Sequence, residues 1–427
     1  MTMTIASRMV GLCLPSATGA MLLAALWAAP LISAQSSNAR WVTAWSTSQQ
    51  ALGEDRITNA TVRMIARVTT PGDAVRVRLD NAYGTEPVAI GRAYVGHRVR
   101  GAALAAGSNR PITFSGAPET IVPAGGTVWS DSVPMTVRAQ QDLAVSFHIR
   151  GNAVRPSQHT NAAVTSYRSA DGSGDVSADE AAMRFEMTTT ALWWLKAIDV
   201  QSASAGTIVA FGDSITDGTC STLDAHDRWE DVLSVRLGLE HDAAARQARG
   251  QREGLKAVIN EGIGGNTITR EGLTPPPDST PGLERLERDV LSHHGMTDVV
   301  LFMGTNDIRR EATAASVIEG TSSIIKQVKS KGFRIIGATI IPRHNVAPAG
   351  TNTGWNPEKT AIRNQVNEWI RAKAPFDAVI DFAQVVHDPS NHDLLVPAFN
   401  CGDGIHPSPL GYYEMGKAID LNLFRRR

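Results

Sequence analysis

A serine, a histidine and an aspartate in the second half of the chain stand in short contexts that suit nucleophilic catalysis. Ser214 lies in Gly212-Asp213-Ser214, and His406 follows Asp403 by three residues in Asp403-Gly-Ile-His406. A serine hydroxyl becomes a useful nucleophile when a neighbouring base takes its proton, and a carboxylate can orient the imidazole of that base. We therefore expect Ser214 to act as nucleophile, His406 as base and Asp403 as the group that orients the histidine.

The region after about residue 203 alternates short apolar runs with helical segments. The apolar runs predict strands over 207–211, 257–259, 298–302, 334–341 and 378–380. The segments between and after them predict helices over 228–239, 283–293, 313–331, 358–373 and about 409–423. Apolar strands that alternate with helices indicate a parallel sheet covered on both faces.

Four polar or glycine-rich blocks follow the ends of these predicted strands. Gly212–Gly218 follows the first strand, Asn260–Asn266 ends the second, Met303–Asp307 ends the third, and Cys401–Pro407 lies beyond the fifth. Ligands of open α/β sheets bind outside the carboxyl ends of the strands. We therefore expect the four blocks to converge on one site.

In this order the four blocks resemble the signatures of the SGNH (GDSL-type) hydrolase superfamily: Gly-Asp-Ser, a glycine, Gly-x-Asn-Asp and Asp-x-x-His. Trp41-Val-Thr-Ala-Trp45 and Arg76-Val-Arg-Leu-Asp-Asn81 are similar to its two-domain branch of arylesterases and carbohydrate acylesterases. The resemblance implies an α/β fold, with a three-layer α/β/α flavodoxin-like domain around a parallel five-stranded sheet. An antiparallel, jelly-roll-like β-sandwich would precede that domain.

The resemblance also implies a function and a set of site residues. A serine esterase of this type hydrolyses carboxylic esters, here short acyl groups on carbohydrate or on aryl or alkyl alcohols, through an acyl-enzyme on Ser214. Its oxyanion donors carry over to the backbone N–H groups of Ser214 and Gly265 and to the side-chain amide of Asn306. Gly264 competes with Gly265, because the Gly-Gly pair leaves the register open by one residue. No metal or organic cofactor is implied.

Other polar residues of the blocks have plainer interpretations. Asp213, Asp217 and Asp307 could compete with Asp403 for the histidine, but such residues more often cap helices or tie loops to backbone amides. Arg228 and Trp229 either line the pocket or pack beneath it, and the sequence leaves both options open.

The first half of the chain has a different pattern. From Trp41 to about Gln201, apolar and polar residues alternate, as in Val75-Arg-Val-Arg-Leu79, and glycine-containing turns separate the runs. This pattern predicts an antiparallel β-sandwich. Residues 151–182 are rich in Ala, Ser, Asp and Gly, and we expect a long loop there. The predicted domains are a β-sandwich over 35–201 and a catalytic domain over 202–427.

Residues 1–34 have the pattern of a secretory signal peptide. Arg8 precedes an apolar stretch, Pro30 breaks that stretch, and small residues lead to Ala34, which is the pattern of a signal peptide and its cleavage site. The alternative is a membrane anchor, but the apolar core is shorter than the ~20 residues that span a bilayer. We predict cleavage near Ala34, no integral membrane segment afterwards, and a secreted or periplasmic protein.

Two of the three cysteines remain after that cleavage, because Cys13 leaves with the leader. Cys220 lies six residues after Ser214, and Cys401 lies five before His406. If the blocks converge, so do these cysteines, and an exported compartment favours a disulfide between them. Two separate buried thiols are the alternative.

Charge and motifs exclude several other classes of protein. Lys plus Arg total 41 and Asp plus Glu total 42, a formal net charge of -1, which disfavours nucleic-acid binding and polybasic binding to membranes. His387 and His392 flank Asp388, but their spacing matches no standard zinc pattern. The chain lacks a P-loop and the G-x-S-x-G elbow of α/β-hydrolases.

Two alternatives to an esterase stay open at this point. One is a glycan-binding protein with an inactive hydrolase domain, and the other is an acyltransferase or lipase-type acylhydrolase with the same triad. The partner would be a small-molecule or polysaccharide ester in the enzymatic cases. The sequence indicates neither the role of the β-sandwich nor an oligomeric state.

Overall fold

The structure is a computed structural model that describes residues 39–204, 206–247, 254–346 and 353–425. The described residues belong to one compact unit. The predicted signal peptide, residues 1–34, lies outside the described residues, as does Cys13. In the part of the chain that is described, we find no helix with the length and apolarity needed to cross a bilayer.

Residues 39–204 are organised as β-strands. In chain order they are β1 Arg40–Ser46, β2 Ala51–Leu52, β3 Ala60–Val68, β4 Gly72–Asp80, β5 Val88–Arg100, β6 Ala103–Leu104, β7 Arg110–Ile112, β8 Thr120–Val122, β9 Thr127–Trp129, β10 Val133–Val137, β11 Gln141–Arg150, β12 Ser157–His159, β13 Ser166–Arg168, β14 Met187–Thr189, β15 Leu192–Trp193 and β16 Leu195–Ser202.

Two antiparallel sheets dominate this region. One has the order β1-β16-β4-β10 with β9 on β4, and the other has the order β14-β13-β3-β11-β5-β6 with β7 and β8 on β5. Side chains of both sheets, including Val77 and Val200 of the first and Val62 and Val145 of the second, share one hydrophobic core. The predicted antiparallel sandwich is confirmed. The expected loop over 151–182 is interrupted by β12 and β13, and β12 joins β15 and β2 in a small third sheet.

The rest of the chain alternates strands and helices. Its strands are β17 Gly206–Gly212, β18 Lys256–Gly262, β19 Met296–Phe302, β20 Arg334–Ala338, β21 Ala378–Ile380, β22 His387–Asp388 and β23 Asn391–Leu395. Its α-helices are α1 Ser214–Asp217, α2 Trp229–Gln247, α3 Gly282–Leu286, α4 Thr305–Arg309, α5 Ala314–Ser330, α6 Pro357–Ala372, α7 Phe382–Val386 and α8 Pro409–Ala418. A π-helical turn over Glu287–Leu291 follows α3, and 3₁₀ turns lie at Pro397–Phe399 and Leu421–Phe424.

The five strands β17 to β21 form a parallel sheet in the order β18-β17-β19-β20-β21. Counted along the chain this is the order 2-1-3-4-5 of flavodoxin-like folds. Val209 and Phe211 of β17 pack into a core with α3, α5 and α6, whereas Ile208 and Ala210 pack into a second core with α2, α7 and α8. The alternation of side chains along the strand thus produces the predicted three layers.

Several predicted boundaries were wrong for identifiable reasons. The strand predicted over 334–341 ends at Ala338, because the side-chain amide of Asn367 bonds both the N–H and the C=O of Ile340, at 2.8 Å each. The helix predicted to reach 423 ends at Ala418. The Arg236 guanidinium donates a hydrogen bond of 2.8 Å to the carbonyl of the next residue, Ile419. The helix predicted over 283–293 is α3 followed by the π-helical turn.

The register of the sheet determines where the chemistry lies. Gly212, the last residue of β17, is paired with Gly262 on β18 and with Phe302 on β19. The three strands therefore end at one level, and the residues that follow them share one edge of the sheet. Gly262 must be a glycine there, because a Cβ on it would lie 2.2 Å from the backbone nitrogen of Asp217.

Candidate active site

Ser214 begins a one-turn helix directly after the central strand β17. The side chain of Asp213 caps this turn by accepting the N–H of Ile215 at 3.0 Å, and Gly218 ends it with a left-handed φ of 101°. Ser214 is 7% exposed. Among the described residues none accepts a hydrogen bond from the backbone N–H of Ser214. The turn therefore presents a hydroxyl and an open N–H at the sheet edge.

His406 connects Ser214 to Asp403. Its Nε2 lies 2.8 Å from Ser214 Oγ and its Nδ1 lies 2.5 Å from Asp403 Oδ2. Burial raises the pKa of Asp403, but hydrogen bonds from the His406 ring and from backbone N–H groups outweigh it and hold that pKa at about 2. Asp403 is thus a carboxylate that can only accept, so Nδ1 carries the proton and Nε2 offers a lone pair to the serine hydroxyl.

The loop that carries these two residues is fixed locally. Asp403 Oδ1 accepts the N–H groups of Ile405 and His406 at 2.8 Å each. A disulfide joins Cys220 to Cys401 with a Cα–Cα distance of 6.2 Å, as the sequence predicted, so the loop before His406 is tied to the loop after Ser214. Cys220 Sγ also lies close to the side chains of Asp403 and His406, but the disulfide occupies it and it cannot serve as a thiolate ligand.

The two adjacent glycines of the second block differ in their hydrogen bonds. The N–H of Gly264 donates to Asp217 Oδ2 at 2.9 Å. Gly265 has a left-handed φ of 70°, a conformation that glycine adopts at no steric cost. Within the described residues nothing accepts from its N–H. The structure therefore distinguishes the two glycines that the sequence could not. The N–H of Gly264 is already hydrogen-bonded, whereas the N–H of Gly265 has no acceptor among the described residues.

Asn306 is oriented by groups on both sides of its amide. Its Nδ2 donates to the carbonyl of Asn266 at 3.1 Å, and Arg343 Nη1 reaches its Oδ1 at 3.5 Å. Burial lowers the pKa of Arg343 to about 10, which still leaves a cation at neutral pH. Since the guanidinium is a donor only, the oxygen of Asn306 faces Arg343 and the NH₂ group faces the second block.

Arg285 is a site-supporting residue that sequence reasoning missed. It is 1% exposed, and it donates to the carbonyls of Gly212 and Glu261 at 2.9 Å each and to Asn266 Oδ1 at 3.0 Å. It therefore holds the ends of β17 and β18 together and fixes Asn266, whose carbonyl accepts from Asn306. Its position in a predicted helix gave no signal of these long-range bonds.

His159 is the second residue that was missed, and it comes from the β-rich first half of the chain, where β12 forms the small third sheet with β15 and β2. Its Nε2 lies 2.9 Å from Asp217 Oδ1 and its Nδ1 lies 2.8 Å from the carbonyl of Ser48. It lies in a segment that the sequence predicts as a loop, outside the four blocks, and nothing in its local sequence marks it. The structure thus places a sandwich residue against the helical turn that begins at Ser214.

The remaining acidic residues of the blocks bind backbone amides, as expected. Asp307 accepts from the N–H groups of Ile268 at 2.9 and 3.0 Å and of Thr269 at 3.3 Å, and burial raises its pKa to about 7. Burial likewise raises the pKa of the capping residue Asp213 to about 6. Hydrogen bonds place both carboxyl groups on backbone amides and only Asp403 on the His406 ring.

In the described part of the chain, the other residues singled out by the sequence make no hydrogen bond to Ser214. Trp229 is fully buried and packs edge-on against Phe382 at 5.4 Å between ring centroids, beneath the site. Arg228 donates to the carbonyl of Ala162 at 2.6 Å, which ties it to the sandwich. His387 and His392 contact each other at 4.1 Å between ring centroids on the hairpin formed by β22 and β23.

Comparison with known proteins assigns the second half of the chain. The profile of the GDSL-like lipase/acylhydrolase family matches residues 210–413, which contain all four blocks. This region is a GDSL-like lipase/acylhydrolase domain. The family is one of ester hydrolases, so the domain is of the ester-hydrolase kind and its substrate is an ester. The family assignment predicted from the ordered blocks is confirmed.

Two solved structures illustrate the resemblance of the GDSL-like domain. An aryl esterase of M. smegmatis, in its inhibitor-bound form, is 21% identical, covers 50% of this chain and 95% of its own, and has a TM-score of 0.38. A GDSL-like lipase from Bacteroides thetaiotaomicron is 18% identical, covers 51% of this chain and 88% of its own, and has a TM-score of 0.34. No curated protein matches the chain at a significant level.

Proposed function

We propose that the protein is a serine esterase that cleaves carboxylic esters through an acyl-enzyme on Ser214. The observation that supports this best is the unbroken hydrogen-bonded chain from Ser214 Oγ through the His406 ring to Asp403, with distances of 2.8 and 2.5 Å. A nucleophile, a base and a group that orients the base are the three parts that acyl transfer by serine requires.

The reaction would proceed in two halves. Ser214 Oγ attacks the ester carbonyl carbon while its proton passes to Nε2 of His406, and Asp403 stabilises the imidazolium. Nε2 then gives that proton to the departing alcohol, which leaves the acyl group on Oγ. In the second half a water molecule attacks the acyl carbon while His406 takes its proton, the carboxylic acid departs, and the proton returns to Ser214.

The oxyanion that forms on the carbonyl oxygen would be held by the backbone N–H groups of Ser214 and Gly265 and by the side-chain amide of Asn306. We choose Gly265 over Gly264 because Asp217 already accepts the N–H of Gly264. Asn306 keeps one N–H beyond its bond to the second block, and that group supplies the third donor.

We further propose that the substrates carry short acyl groups on a carbohydrate or on an aryl or alkyl alcohol. The formal net charge of -1 is compatible with a neutral ester, small or polymeric. This substrate class rests on the sequence resemblance. The proposed mechanism uses side chains, backbone N–H groups and water, and it requires no cofactor.

The two-domain division and the cellular location belong to the same proposal. We propose a sandwich domain over 35–201, a catalytic domain over 202–427, and cleavage of the leader near Ala34. The Cys220–Cys401 disulfide supports export, because disulfides persist in oxidising compartments. N-terminal sequencing of the protein from culture medium and periplasmic extract tests this: we expect a start just after Ala34, and an uncleaved Met1 would contradict it.

Activity is tested with the purified full-length protein and two variants. Wild type is assayed on p-nitrophenyl esters of increasing chain length and on acetylated xylan and mannan. We expect Ser214→Ala to lose about 10⁵-fold or more in kcat. Ser221→Ala is the matched control, because it lies in the following loop and its hydroxyl has no hydrogen-bond partner among the described residues. Wild-type turnover by Ser214→Ala would refute the serine mechanism.

The same assays separate the alternatives. If wild type turns over no ester but binds polysaccharide, the protein is a glycan-binding protein. If added sugars become acylated at the expense of hydrolysis, the enzyme is an acyltransferase. We expect hydrolysis to dominate.

A further inference from the structure

The β-sandwich contributes a buried imidazole to the neighbourhood of the proposed nucleophile. His159 is the last residue of β12 and is 2% exposed. Its ring lies between the carbonyl oxygen of Ser48 at 2.8 Å and the carboxylate of Asp217 at 2.9 Å. Asp217 is the last residue of α1, the turn that begins with Ser214. One histidine therefore connects the sandwich to the turn that carries the serine.

The carboxylate of Asp217 is shared between two donors. Oδ1 accepts from His159, and Oδ2 accepts from the backbone N–H of Gly264 at 2.9 Å. The adjoining backbone leaves little freedom, because Gly262 approaches the backbone nitrogen of Asp217 so closely that no Cβ would fit. Asp217 thus fixes Gly264 relative to Ser214. The next residue, Gly265, keeps the open N–H.

Both ring nitrogens of His159 face acceptors, a carbonyl and a carboxylate, and both can be satisfied only if the ring carries two protons. Burial alone lowers the pKa of His159, but the charge of Asp217 and the two hydrogen bonds outweigh burial and the opposing charge of Arg228, and raise it above 6.5. His226, Glu230 and Asp231 line the same interior space. The two acceptors around the ring and the charge of Asp217 therefore favour the protonated form of His159.

We propose that His159 is a positioning residue for the oxyanion site: through Asp217 it fixes Gly264, and so directs the N–H of Gly265 toward the oxyanion. This inference rests on the proposed esterase mechanism. It gives the β-sandwich a part in catalysis, because one of its residues determines the position of a loop that binds the transition state.

Such a role has a kinetic signature. An oxyanion donor interacts more strongly with the transition state than with the bound ester, so a displaced donor lowers kcat and leaves KM nearly unchanged. A displacement of about 1 Å costs about 10²-fold in rate. A residue that merely stabilised the contact between sheet and helices would lower the melting temperature and leave kcat per folded molecule unchanged.

The experiment compares four variants of the full chain. His159→Ala and Asp217→Ala each break the connection to Gly264, and we expect kcat to fall about 10²-fold with KM within about twofold. Asp217→Asn is the conservative variant: its oxygen can accept from Gly264 while its NH₂ donates to a neutral His159. We expect its kcat to stay within about fivefold of wild type.

Thr69→Val is the matched control for the contact between the sandwich and the sheet. Thr69 bonds Val258 in the middle of β18 at 3.0 Å, away from the strand end that carries the glycines. We expect it to lower stability and to leave kcat unchanged. If kcat fell as much in Thr69→Val as in His159→Ala, any disturbance of the contact between the sandwich and the sheet would be enough to lower kcat. That result would overturn the role of His159.

Other outcomes are equally decisive. Wild-type kcat in a folded His159→Ala or Asp217→Ala variant would overturn the proposal. If neither variant folds, amide hydrogen exchange of the wild type decides: we expect Gly264 to be protected and Gly265 to exchange quickly, and equal rates would overturn it. Ser214→Ala is assayed alongside. Turnover retained in Ser214→Ala would refute the proposed esterase mechanism itself. This result is distinct from the results above, which would refute only the role of His159.

Discussion

Two histidine–aspartate pairs lie beside the turn that begins at Ser214, and they differ in what the second ring nitrogen faces. His406 bonds Asp403 through Nδ1 and leaves Nε2 2.8 Å from the serine hydroxyl. His159 bonds Asp217 through Nε2 and uses Nδ1 on a backbone carbonyl. The first ring has a nitrogen that can take a proton, whereas the second has both nitrogens engaged as donors.

Exposure separates the two pairs as well. The side chain of His406 is 13% exposed and that of Asp403 is 36% exposed, against 3% and 9% for His159 and Asp217. A proton-transfer pair has to reach substrate and water, whereas a positioning pair gains from being dry, because its attraction is screened less. In the mechanism that we propose, the same two residue types supply chemistry in one place and fixed geometry in the other.

Replacing each histidine in turn should give the largest difference in kcat between the two pairs. We expect His406→Ala to lower kcat about 10⁵-fold or more, because the serine loses its base. This loss is about a thousandfold larger than the one expected for His159→Ala. Steady-state kinetics on one p-nitrophenyl ester measures both. Similar losses in the two variants would mean that the pairs do not have separate roles.

Substitution of the two aspartates should also lower kcat more at the His406 pair than at the His159 pair. In Asp403→Asn an amide replaces the acceptor that holds His406, and we expect kcat to fall about 10⁴-fold as the imidazole loses its orientation and its countercharge. Asp217→Asn should stay within about fivefold, because an amide can serve both of its partners. The two variants are compared at equal folded fraction by circular dichroism. A large loss in Asp217→Asn would show that the charge itself is required there.

The pH dependence of the unfolding free energy should change only slightly, and it should report whether His159 is protonated in the folded protein. Burial lowers the pKa of His159, but the charge of Asp217 and two hydrogen bonds outweigh it and raise that pKa above the ordinary value of a histidine. The pairing therefore stabilises the fold fully below the ordinary histidine pKa, and this contribution is lost as pH rises through the folded-state pKa. We expect the difference in unfolding free energy between wild type and His159→Gln to shrink from pH 6 to pH 10. Urea unfolding at several pH values measures it, and a growing difference would contradict a cationic His159.

Local sequence was sufficient to identify the sheet and the three residues, Ser214, His406 and Asp403, that the structure joins by hydrogen bonds. The apolar runs identify the strands, and the parallel register brings the ends of the first three to one level. Ser214 and Asn306 each lie in a short block directly after such an end, and His406 lies in the Asp-x-x-His block beyond the last strand of the sheet. Asp403 is three residues from His406, so their bond is a property of one loop. Features of this kind depend on neighbours in the chain, and the sequence displays them directly.

The supporting contacts could not be predicted because they join distant parts of the chain. His159 and Asp217 are 58 residues apart, and Arg285 reaches Ser48 across 237 residues. The choice between Gly264 and Gly265 depends on where the Asp217 carboxylate points, which no motif specifies. The early end of β20 at Ala338 depends on the side-chain amide of Asn367, which lies in helix α6.

Covalent trapping tests the central claim, that Ser214 is a nucleophile activated by His406. The full chain is treated with an aryl phosphonate ester, and the labelled peptide is identified by mass spectrometry. We predict one adduct per chain, on Ser214. The adduct should be absent in Ser214→Ala, form far more slowly in His406→Ala than in wild type, and form at the wild-type rate in Ser221→Ala. An adduct on another residue, or esterase turnover that persists after Ser214 is fully labelled, would contradict the account.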